Sequence, residues 1–439
     1  MKFKKFGKAL LMSALSAGVV LSVTSCVQSY SVGYLYVTGT HTAQPAGNGI
    51  VSGFKIDHNT GKLTSISGLP VASGGANPIR AVLLAGSRFL YVLNRGVDGS
   101  GDGNCSTADP CAHSNITQFA VGGNGILTQQ QTFYPQGLNP ERMIADSNGN
   151  FVFILDHDAP SAAACSLALG PSATSCGAIE VYAVNQTTGR LQIVVNAQVT
   201  SASGQPLPYF PIPADPIDFV MAGGSLLTLS GTPATGDSVF PYTYNGSNGQ
   251  LTINQNSSQP LNIYDATAIN YGAGTVYVLD NEAITVNGVT SPSQILPYSV
   301  GSGGALQAHT GGAVPDDPTL ANPTQLLVEA KGNWVYVANQ GNNNTGTGLT
   351  QNGIAAWVIN KAQSELTPMP KEPFPTGSGP QCIVEDPSNQ FIYTANYNDS
   401  TVTGRVLDQN AGTLSVLHNN SSFSLSGPAT WCLVDGRTN

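Results

Sequence analysis

The sequence predicts an all-β protein, specifically a seven-bladed β-propeller of four-stranded blades. Three observations predict it. The composition favours strands over helices, a turn that ends in leucine recurs seven times, and the two chain ends carry complementary halves of one repeat. Such repetition is expected where one unit cannot bury both of its faces alone and neighbouring units must cover each other.

The composition supports the first observation. Only 9% of the 439 residues are charged, whereas 41% are hydrophobic and 50 are glycine. Such a chain is too apolar for disorder and too poor in helix-forming runs for a helical protein. Short runs of Val, Ile, Tyr and Phe between clusters of Gly, Asn, Ser and Pro are strand signals.

The first repeated signal is a turn that closes with leucine after a strand of alternating character, as in "FKIDHNTGKL" and "YAVNQTTGRL". Successive closing leucines are 48 to 64 residues apart. They are Leu63, Leu127, Leu191, Leu251, Leu306, Leu366 and Leu414. Because only the loops vary in length, seven equivalent units are indicated.

The second signal is a strand, a tight turn and another strand, as in "ANPIRAVLLAGSRFLYVLNRG" and "SGPQCIVEDPSNQFIYTANYN". Together the two signals give four strands per repeat, which at this period is typical of a β-propeller. The N-terminal "GYLYVTGTH" is a second strand without a first, and the C-terminal "SGPATWCLVDG" is a first strand without a second. We expect these two ends to pair and close the ring.

The chain begins with four lysines, an apolar stretch and small residues, which are the features of a secretion signal. The sequence "VTSC", ending at Cys26, resembles a bacterial lipobox, in which the cysteine is lipidated; the alternative is a plain signal peptide with an incidental cysteine. We expect a signal peptide over 1–25, a tether over 26–33 and one propeller domain over 34–436. The protein would then be exported and attached to a membrane of the bacterial cell envelope through lipid alone, since no later apolar run is long enough to span a bilayer.

The net charge indicates which partners the protein can bind, and the cysteines indicate which disulfides it forms. Without the four signal lysines, 12 basic side chains face 25 acidic ones, a formal charge near −13, which disfavours nucleic-acid binding. Short spacing in an exported protein predicts two local disulfides, Cys105–Cys111 and Cys165–Cys176. Cys382 and Cys432 lie in neighbouring repeats, and the sequence leaves their bonding open. We expect a monomer.

The predicted topology places the candidate site on one rim of the propeller. The first strand of a blade starts on the face where the second strand ends, and the long insertions 96–114, 158–177 and 341–352 follow second strands on that face. Ligand-binding residues are commonly held by such loops. The residues two positions after each blade's proline, or its equivalent, form a ring there: Arg80, Arg142, Asp218, Ala268, Gln325, Cys382 and Thr430.

The seven-fold repeat carries a resemblance that covers about residues 30–436. The sequence resembles the lactonase family of seven-bladed propellers, which includes 6-phosphogluconolactonase-like proteins. Its strand ends "YVTG", "YVLN" and "YVAN" also resemble those of YVTN-repeat propellers of cell surfaces. In the lactonase family a blade often begins with Gly-Pro-Arg-His, and the resemblance implies a site of Arg, His and Glu near the channel mouth. Here that stretch reads "GPQC" and no histidine stands in the ring, which argues against 6-phosphogluconolactonase activity itself.

The arginines are the leading candidates for such a site. Arg80 and Arg142 take equivalent positions on adjacent blades, and Arg95 and His157 follow the second strands of the same two blades. Arginine binds carboxylate or phosphate in bidentate fashion and stabilises a developing oxyanion. Arginines at strand entries also hold blades together, and this structural role remains an alternative.

Three residues are candidates for the general base that delivers water to a lactone carbonyl, namely His157, Glu141 and Asp218. Arg95, Gln325 and Gln381 are candidates for binding the substrate. All are predicted on the same rim.

The segment "DGSGDGNCSTAD", residues 98–109, resembles a twelve-residue calcium loop. It ends in Asp instead of Glu and lacks flanking helices, so a flexible surface loop is the alternative. Its candidate ligands include Asp98, Asp102, Asn104 and Asp109. No other metal-ligand or phosphate-binding motif stands out, and the predicted chemistry requires no cofactor.

Two functions from different classes follow. One is an exported lactonase-like hydrolase that opens or binds a small anionic lactone or sugar derivative. The other is a non-catalytic envelope propeller that binds a glycan, a peptide or a protein partner.

Overall fold

The structure, a computed structural model, describes residues 30–41, 48–84, 86–97, 112–232, 234–253, 261–341, 351–361, 365–418 and 420–436. Within these ranges the strands form seven antiparallel blades of four strands each, so the predicted seven-bladed propeller is confirmed. We number the blades 1 to 7 from the N-terminus and the strands of each blade from the central axis outward.

The inner strands of blades 1 to 7 are Ala429–Asp435, Pro78–Leu83, Pro140–Ala145, Pro216–Ala222, Ala266–Gly272, Pro323–Val328 and Pro380–Glu385. The second strands are Ser31–Thr40, Phe89–Asn94, Phe151–Asp156, Ser225–Thr232, Thr275–Asp280, Trp334–Asn339 and Phe391–Asn396. The third strands are Asn48–Asp57, Asn115–Val121, Gly177–Val184, Gly236–Tyr244, Gln294–Val300, Gly353–Asn360 and Thr401–Leu407. The fourth strands are Leu63–Ser65, Leu127–Phe133, Leu191–Ile193, Leu251–Ile253, Leu306–Ala308, Glu365–Pro368 and Leu414–Val416.

The remaining strands are short additions to the blades or separate hairpins: Val71–Ala76, Asn196–Thr200, Pro206–Leu207, Phe210–Ile212, Ile284–Val286, Val289–Ser291, Val314–Pro315, Phe374–Pro375 and Ser422–Ser424. The insertion after the second strand of blade 3 forms the α-helix Ala162–Leu169, and a 3₁₀ turn spans Ser302–Gly304. Among the described residues, no helix has the length and apolar character needed to cross a membrane.

The ring closes as expected from the chain ends. The strand Ser31–Thr40 pairs with Ala429–Asp435, with Val37 opposite Cys432. Each inner strand also contacts the inner strands of both neighbouring blades. Blade 1 is therefore built from the two ends of the chain.

The hydrophobic core lies between blades rather than within them. Seven clusters of buried side chains occur in the described residues, and each combines residues of two adjacent blades. In one of them Leu35 and Phe54 of blade 1 pack with Phe391 of blade 7. A single blade would expose both of its apolar faces, which explains why the unit is repeated.

The recurrent turn before the closing leucine joins neighbouring blades. The hydroxyl of Tyr36 donates to the carbonyl of Gly125 over 2.8 Å, and that of Tyr393 donates to Gly61 over 2.7 Å. Gly61 has a φ of +66°, and a Cβ there would lie 2.4 Å from the Phe391 ring. Glycine is therefore required by both the backbone conformation and the approach of the next blade.

Every inner strand begins with a bulge. The register of this bulge determines which residues take equivalent positions in the predicted ring. In blade 2 the register shifts between Pro78 and Arg80, so that the intervening residue is unpaired. In blade 1 the equivalent shift places Trp431, and not Thr430, at the position of Arg80. The prediction for blade 1 is wrong by one residue because Ala429 occupies the register position that proline holds in blade 2.

Two disulfides are present in the described residues. Cys165–Cys176 forms as predicted and attaches the helix to the start of the third strand of blade 3. Cys382–Cys432 also forms, and it joins the inner strand of blade 7 to that of blade 1. The predicted pair Cys105–Cys111 lies outside the described residues.

We predict that the double variant Cys382→Ala/Cys432→Ala lowers the free energy of unfolding by about 2–4 kcal/mol, measured by urea denaturation. The bond closes the ring across 50 residues of sequence separation, whereas Cys165–Cys176 spans only 11. The matched variant Cys165→Ala/Cys176→Ala should therefore lower the free energy of unfolding by a smaller amount. Equal losses, or none in the first variant, would contradict this role in ring closure.

Candidate functional site

A cavity of about 290 Å³ lies at one mouth of the central channel, on the face where inner strands begin and second strands end. Its lining residues come from blades 1, 2, 3, 6 and 7: Ile79, Arg80, Arg95, Glu141, Arg142, Gln340, Gln381, Tyr397 and Thr430. Five of the predicted site residues are therefore brought together. Three others, His157, Asp218 and Gln325, do not line the cavity.

Three positions of the repeat supply the lining. One is the unpaired residue of the bulge at the start of the inner strand, which carries Glu141 and Gln381. The second is the next residue along that strand, which carries Arg80 and Arg142. The third is the residue that follows the second strand, which carries Arg95, Gln340 and Tyr397. The backbone N–H groups of these last three residues donate to the loop that enters the same blade, over 2.9, 2.9 and 2.8 Å.

Sequence reasoning missed Gln340 and Tyr397. The signal was available, because both follow the terminal asparagine of a second strand, as Arg95 follows Asn94. Their side chains are neutral, and charge alone did not single them out.

Glu141 is the carboxylate of the cavity, and arginines of two blades hold it. Its Oε1 lies 2.6 Å from Nη2 of Arg95, and its Oε2 lies 3.6 Å from Nη1 of Arg142. Arg95 also donates from Nε and Nη2 to Oδ1 of Asn139, over 3.1 and 2.8 Å. The ion pairs fix the orientation of both guanidinium groups at the cavity wall.

Arg80 differs from the other two arginines. Its guanidinium lies 4.1 Å from the centroid of the Trp431 ring, and Nη1 donates to the carbonyl of Ile79 over 2.8 Å. Among the described residues, no carboxylate lies within ion-pair distance of it. Burial in the channel, with repulsion from Arg142, lowers the pKa of Arg80 to about 9. It remains cationic at neutral pH, and its other N–H groups are free to bind an anion.

The side chains of Asp218 and Gln325 link adjacent blades through hydrogen bonds. Asp218 accepts from the backbone N–H of Phe219 over 2.9 Å and, through Oδ2, from that of Ile269 in blade 5 over 3.1 Å. Gln325 accepts from the N–H of Ile383 in blade 7 over 2.9 Å. The side-chain oxygens predicted to serve catalysis or binding are thus occupied by backbone amides.

Asp218 also orients one cavity residue. Its Oδ1 lies 3.4 Å from Nε of Arg142. Cys382 takes the same inner-strand position as Asp218 and Gln325, two residues after the first. Its disulfide to Cys432 therefore replaces, between blades 7 and 1, the hydrogen bond that these side chains make elsewhere.

His157 lies beside the cavity and not on its wall. Its Nδ1 is 3.2 Å from Oδ2 of Asp158, and its Nε2 is 3.6 Å from Oδ1 of Asp215. Asn139 donates to the same Asp158 oxygen over 3.2 Å and accepts from Arg95. His157 is thus linked to the cavity through this chain of polar groups.

A family model described as "Lactonase, 7-bladed beta-propeller" matches residues 47–204 and 283–430, which is more than half of the chain. The chain belongs to this family. The family resemblance implied Arg, His and Glu at the channel mouth, and the cavity of this lactonase-family propeller has the first and the last of these types. Among the described residues, no histidine lines it. No curated protein matches the chain.

Solved structures share the fold over nearly the whole chain. A periplasmic gluconolactonase from Pseudomonas aeruginosa is 15% identical, with a TM-score of 0.62, and the match covers 92% of this chain and 99% of that one. A candidate 6-phosphogluconolactonase from Bacteroides uniformis is 13% identical with a TM-score of 0.61, and the coverage is again 92% and 99%. A protein from Lactobacillus plantarum is 14% identical with a TM-score of 0.58, covering 93% and 99%. At these identities the likeness concerns the fold.

In this lactonase-family chain, the loop that carries Asn139 is held from within by two buried carboxyl groups. Glu180 accepts from the N–H groups of Gln136 and Gly137, both over 2.6 Å, and from the hydroxyl of Tyr182 over 2.7 Å. Asp156 accepts from the N–H of Asn139 over 2.8 Å. The carboxyl group at the end of the second strand thus caps this loop.

The packing beneath this loop is tight. A Cβ on Gly137 would lie 1.9 Å from Oδ2 of Asp156, so the loop passes only because this residue is glycine. Glu180 is fully buried, and this burial raises its pKa to about 7 against the opposing effect of its three hydrogen bonds. The position of Asn139, and through it that of Arg95, depends on these two acids.

The predicted calcium loop, with Asp98, Asp102, Asn104 and Asp109, lies outside the described residues and stays a prediction. In the part of the chain that is described, no group of three or more His, Cys, Asp or Glu side chains is arranged to hold a metal ion.

We predict that the free energy of unfolding falls as pH rises from about 4.5 to about 7, and that Glu180→Gln reduces this fall. The folded-state pKa of Glu180 lies above its ordinary value of 4.5, so the unfolded chain releases the proton first as pH rises. Burial also raises the pKa of Asp316 and of Glu372 to about 7, and both add to the slope.

Urea denaturation at pH 5 and pH 8 measures the effect. Glu282→Gln, at an exposed glutamate, is the matched control and should keep the wild-type dependence. An identical pH dependence in Glu180→Gln and the wild type would show that this buried acid does not titrate as described.

Proposed function

We propose that this lactonase-family propeller hydrolyses a small anionic lactone or sugar-derived lactone in the cavity at the channel mouth. The observation that carries the proposal is the convergence of Arg80, Arg95 and Arg142 with Glu141 in one small cavity. Its volume of about 290 Å³ is near the lower end of typical small-molecule sites, about 300–1,000 Å³.

Arg80 is proposed to bind the anionic group or the carbonyl oxygen of the ligand. Its charge is not paired with a carboxylate among the described residues, and it faces the cavity from the inner strand. Arg142 adds a second guanidinium group, which lines the cavity and is held there by ion pairs to Glu141 and Asp218. Two guanidinium groups in a partly desolvated site stabilise an oxyanion more strongly than water does.

Glu141 is the proposed general base, since it is the one predicted base that lines the cavity. In this reaction a water oxygen bonds to the lactone carbonyl carbon while Glu141 takes a proton from that water. Charge develops on the carbonyl oxygen, beside Arg80 and Arg142. The ring C–O bond then breaks, the leaving oxygen takes the proton that Glu141 removed from water, and the product is a hydroxy acid.

Binding without turnover is the second candidate function. Two observations favour it: no histidine lines the cavity among the described residues, and both oxygens of Glu141 are already in ion pairs. A lactone, a sugar acid or the anionic part of an envelope glycan would be the ligand.

A pH-stat assay of the mature protein against a panel of sugar and aliphatic lactones, including gluconolactone, separates the two functions. We predict acid release that falls about 10²–10³-fold in Arg142→Ala, the usual effect of removing an oxyanion donor. The melting temperature of that variant should stay near that of wild type. Arg190→Ala, at an exposed arginine, is the matched control and should retain turnover.

Two outcomes would overturn the hydrolase. One is a flat trace across the panel. The other is an equal loss in Arg142→Ala and Arg190→Ala. Lactone or acid binding that persists without acid release would support the binding function.

We also propose that the protein is exported and lipid-anchored at Cys26. The two disulfides support export, since such bonds persist in oxidising compartments, and one structural relative is named as periplasmic. We predict that Cys26→Ala moves the protein from the membrane fraction to the soluble fraction and removes labelling by palmitate. Membrane retention of this variant would contradict the anchor.

A further inference from the structure

A second cavity follows the first along the same strands. It has a volume of about 550 Å³ and is lined by residues 81–84, 86–87 and 143–147, with Trp431 and Val434. The upper cavity is lined by the residues immediately before these, 79–80 and 141–142, with Thr430. The two cavities therefore adjoin on the inner strands of blades 1, 2 and 3, with no residue between them.

The chemistry changes from one cavity to the next. The upper one is dominated by arginine, glutamate, glutamine and tyrosine, whereas the strand residues of the lower one are apolar. The polar lining residues of the lower cavity, Ser87, Asp146 and Ser147, lie in the turns after the inner strands, at its far end. The fifth residue of the inner strand is apolar in six blades and is asparagine in blade 5. The six partly exposed apolar residues are Val82, Ile144, Val220, Leu327, Val384 and Leu433. The channel is thus polar at one end and apolar below.

Arg80 and Trp431 form the boundary. The guanidinium of Arg80 lines the upper cavity and lies over the indole of Trp431, which lines the lower one. From Arg80 to Leu84 the strand advances about 13 Å at roughly 3.3 Å per residue. An anion bound to Arg80 would hold any attached chain directly above the apolar cavity.

We propose that the ligand is amphiphilic, with a carboxylate or lactone head at Arg80 and Arg142 and an unbranched aliphatic chain in the lower cavity. This inference rests on the proposed anion-binding role of the upper cavity, but it does not require hydrolysis. Contact between the apolar wall and a hydrocarbon chain would remove apolar surface from water, which is favourable. The cationic boundary fixes the direction of the ligand, head toward the loop-rich face and chain toward the opposite face.

Straight-chain carboxylates test the proposal on the wild-type protein. We predict by calorimetry that affinity rises from acetate through butyrate and hexanoate to octanoate, by about fourfold for each buried methylene. Octanoate, and not acetate, should also change the tryptophan fluorescence, and this change should vanish in Trp431→Phe. The other two tryptophans, Trp334 and Trp357, are buried in blade 6.

An affinity that does not depend on chain length would overturn the proposal. So would octanoate binding that is unaffected by Arg80→Ala, since the chain would then be held elsewhere. Neither result depends on a variant with an altered lower cavity.

Filling the lower cavity gives a second, independent test. Ala145→Phe should abolish the increase in affinity with chain length. Ala163→Phe, at an exposed position of the helix, is the matched control and should keep it. A chain-length dependence that survives in both variants would place the chain outside this cavity and overturn the proposal.

The outcomes for the two proposals are distinguishable. Turnover of small lactones without any chain-length effect would overturn the amphiphilic ligand and leave the hydrolase. Chain-length-dependent carboxylate binding without turnover would overturn the hydrolase and support the amphiphilic ligand.

Discussion

The structure depends on one constraint: a four-stranded blade has two apolar faces and can cover neither by itself. Seven clusters of buried side chains lie between adjacent blades of the described residues, so each blade buries its two apolar faces against its two neighbours. The pairing of Ser31–Thr40 with Ala429–Asp435 completes the last two interfaces. Cys382–Cys432 secures the interface between blades 7 and 1 at the inner strands. The central channel and its cavities follow from this closure.

The repeat sets the geometry of the cavity, and the blades whose residues depart from the common pattern set its charge. Three positions of the repeat supply the cavity lining, and blades 1, 6 and 7 place neutral residues there. Blades 2 and 3 carry Arg80, Arg95, Glu141 and Arg142 instead, so one sector is charged. Across the cavity, blades 6 and 7 contribute amide and phenol groups. A ligand that enters is therefore offered a cationic side and a neutral hydrogen-bonding side.

The sequence predicted what depends on periodicity within a blade. Blade number, ring closure, Cys165–Cys176 and the adjacency of Arg80 and Arg142 all follow from spacing. It failed where contacts between blades decide the outcome. Asp218 and Gln325 were predicted to face a ligand, but their oxygens accept backbone amides of the next blade. The one-residue bulge register that selects Trp431 was likewise not visible in the spacing of the prolines.

The central claim is that Arg80 and Arg142 form an anion-binding site at the channel mouth. A crystal structure of the mature protein with gluconate, a hydroxycarboxylate, tests it most directly. We expect the carboxylate within hydrogen-bond distance of both guanidinium groups, with the hydroxyl groups directed toward blades 6 and 7. Gluconate bound elsewhere, with the cavity holding only solvent, would contradict the claim.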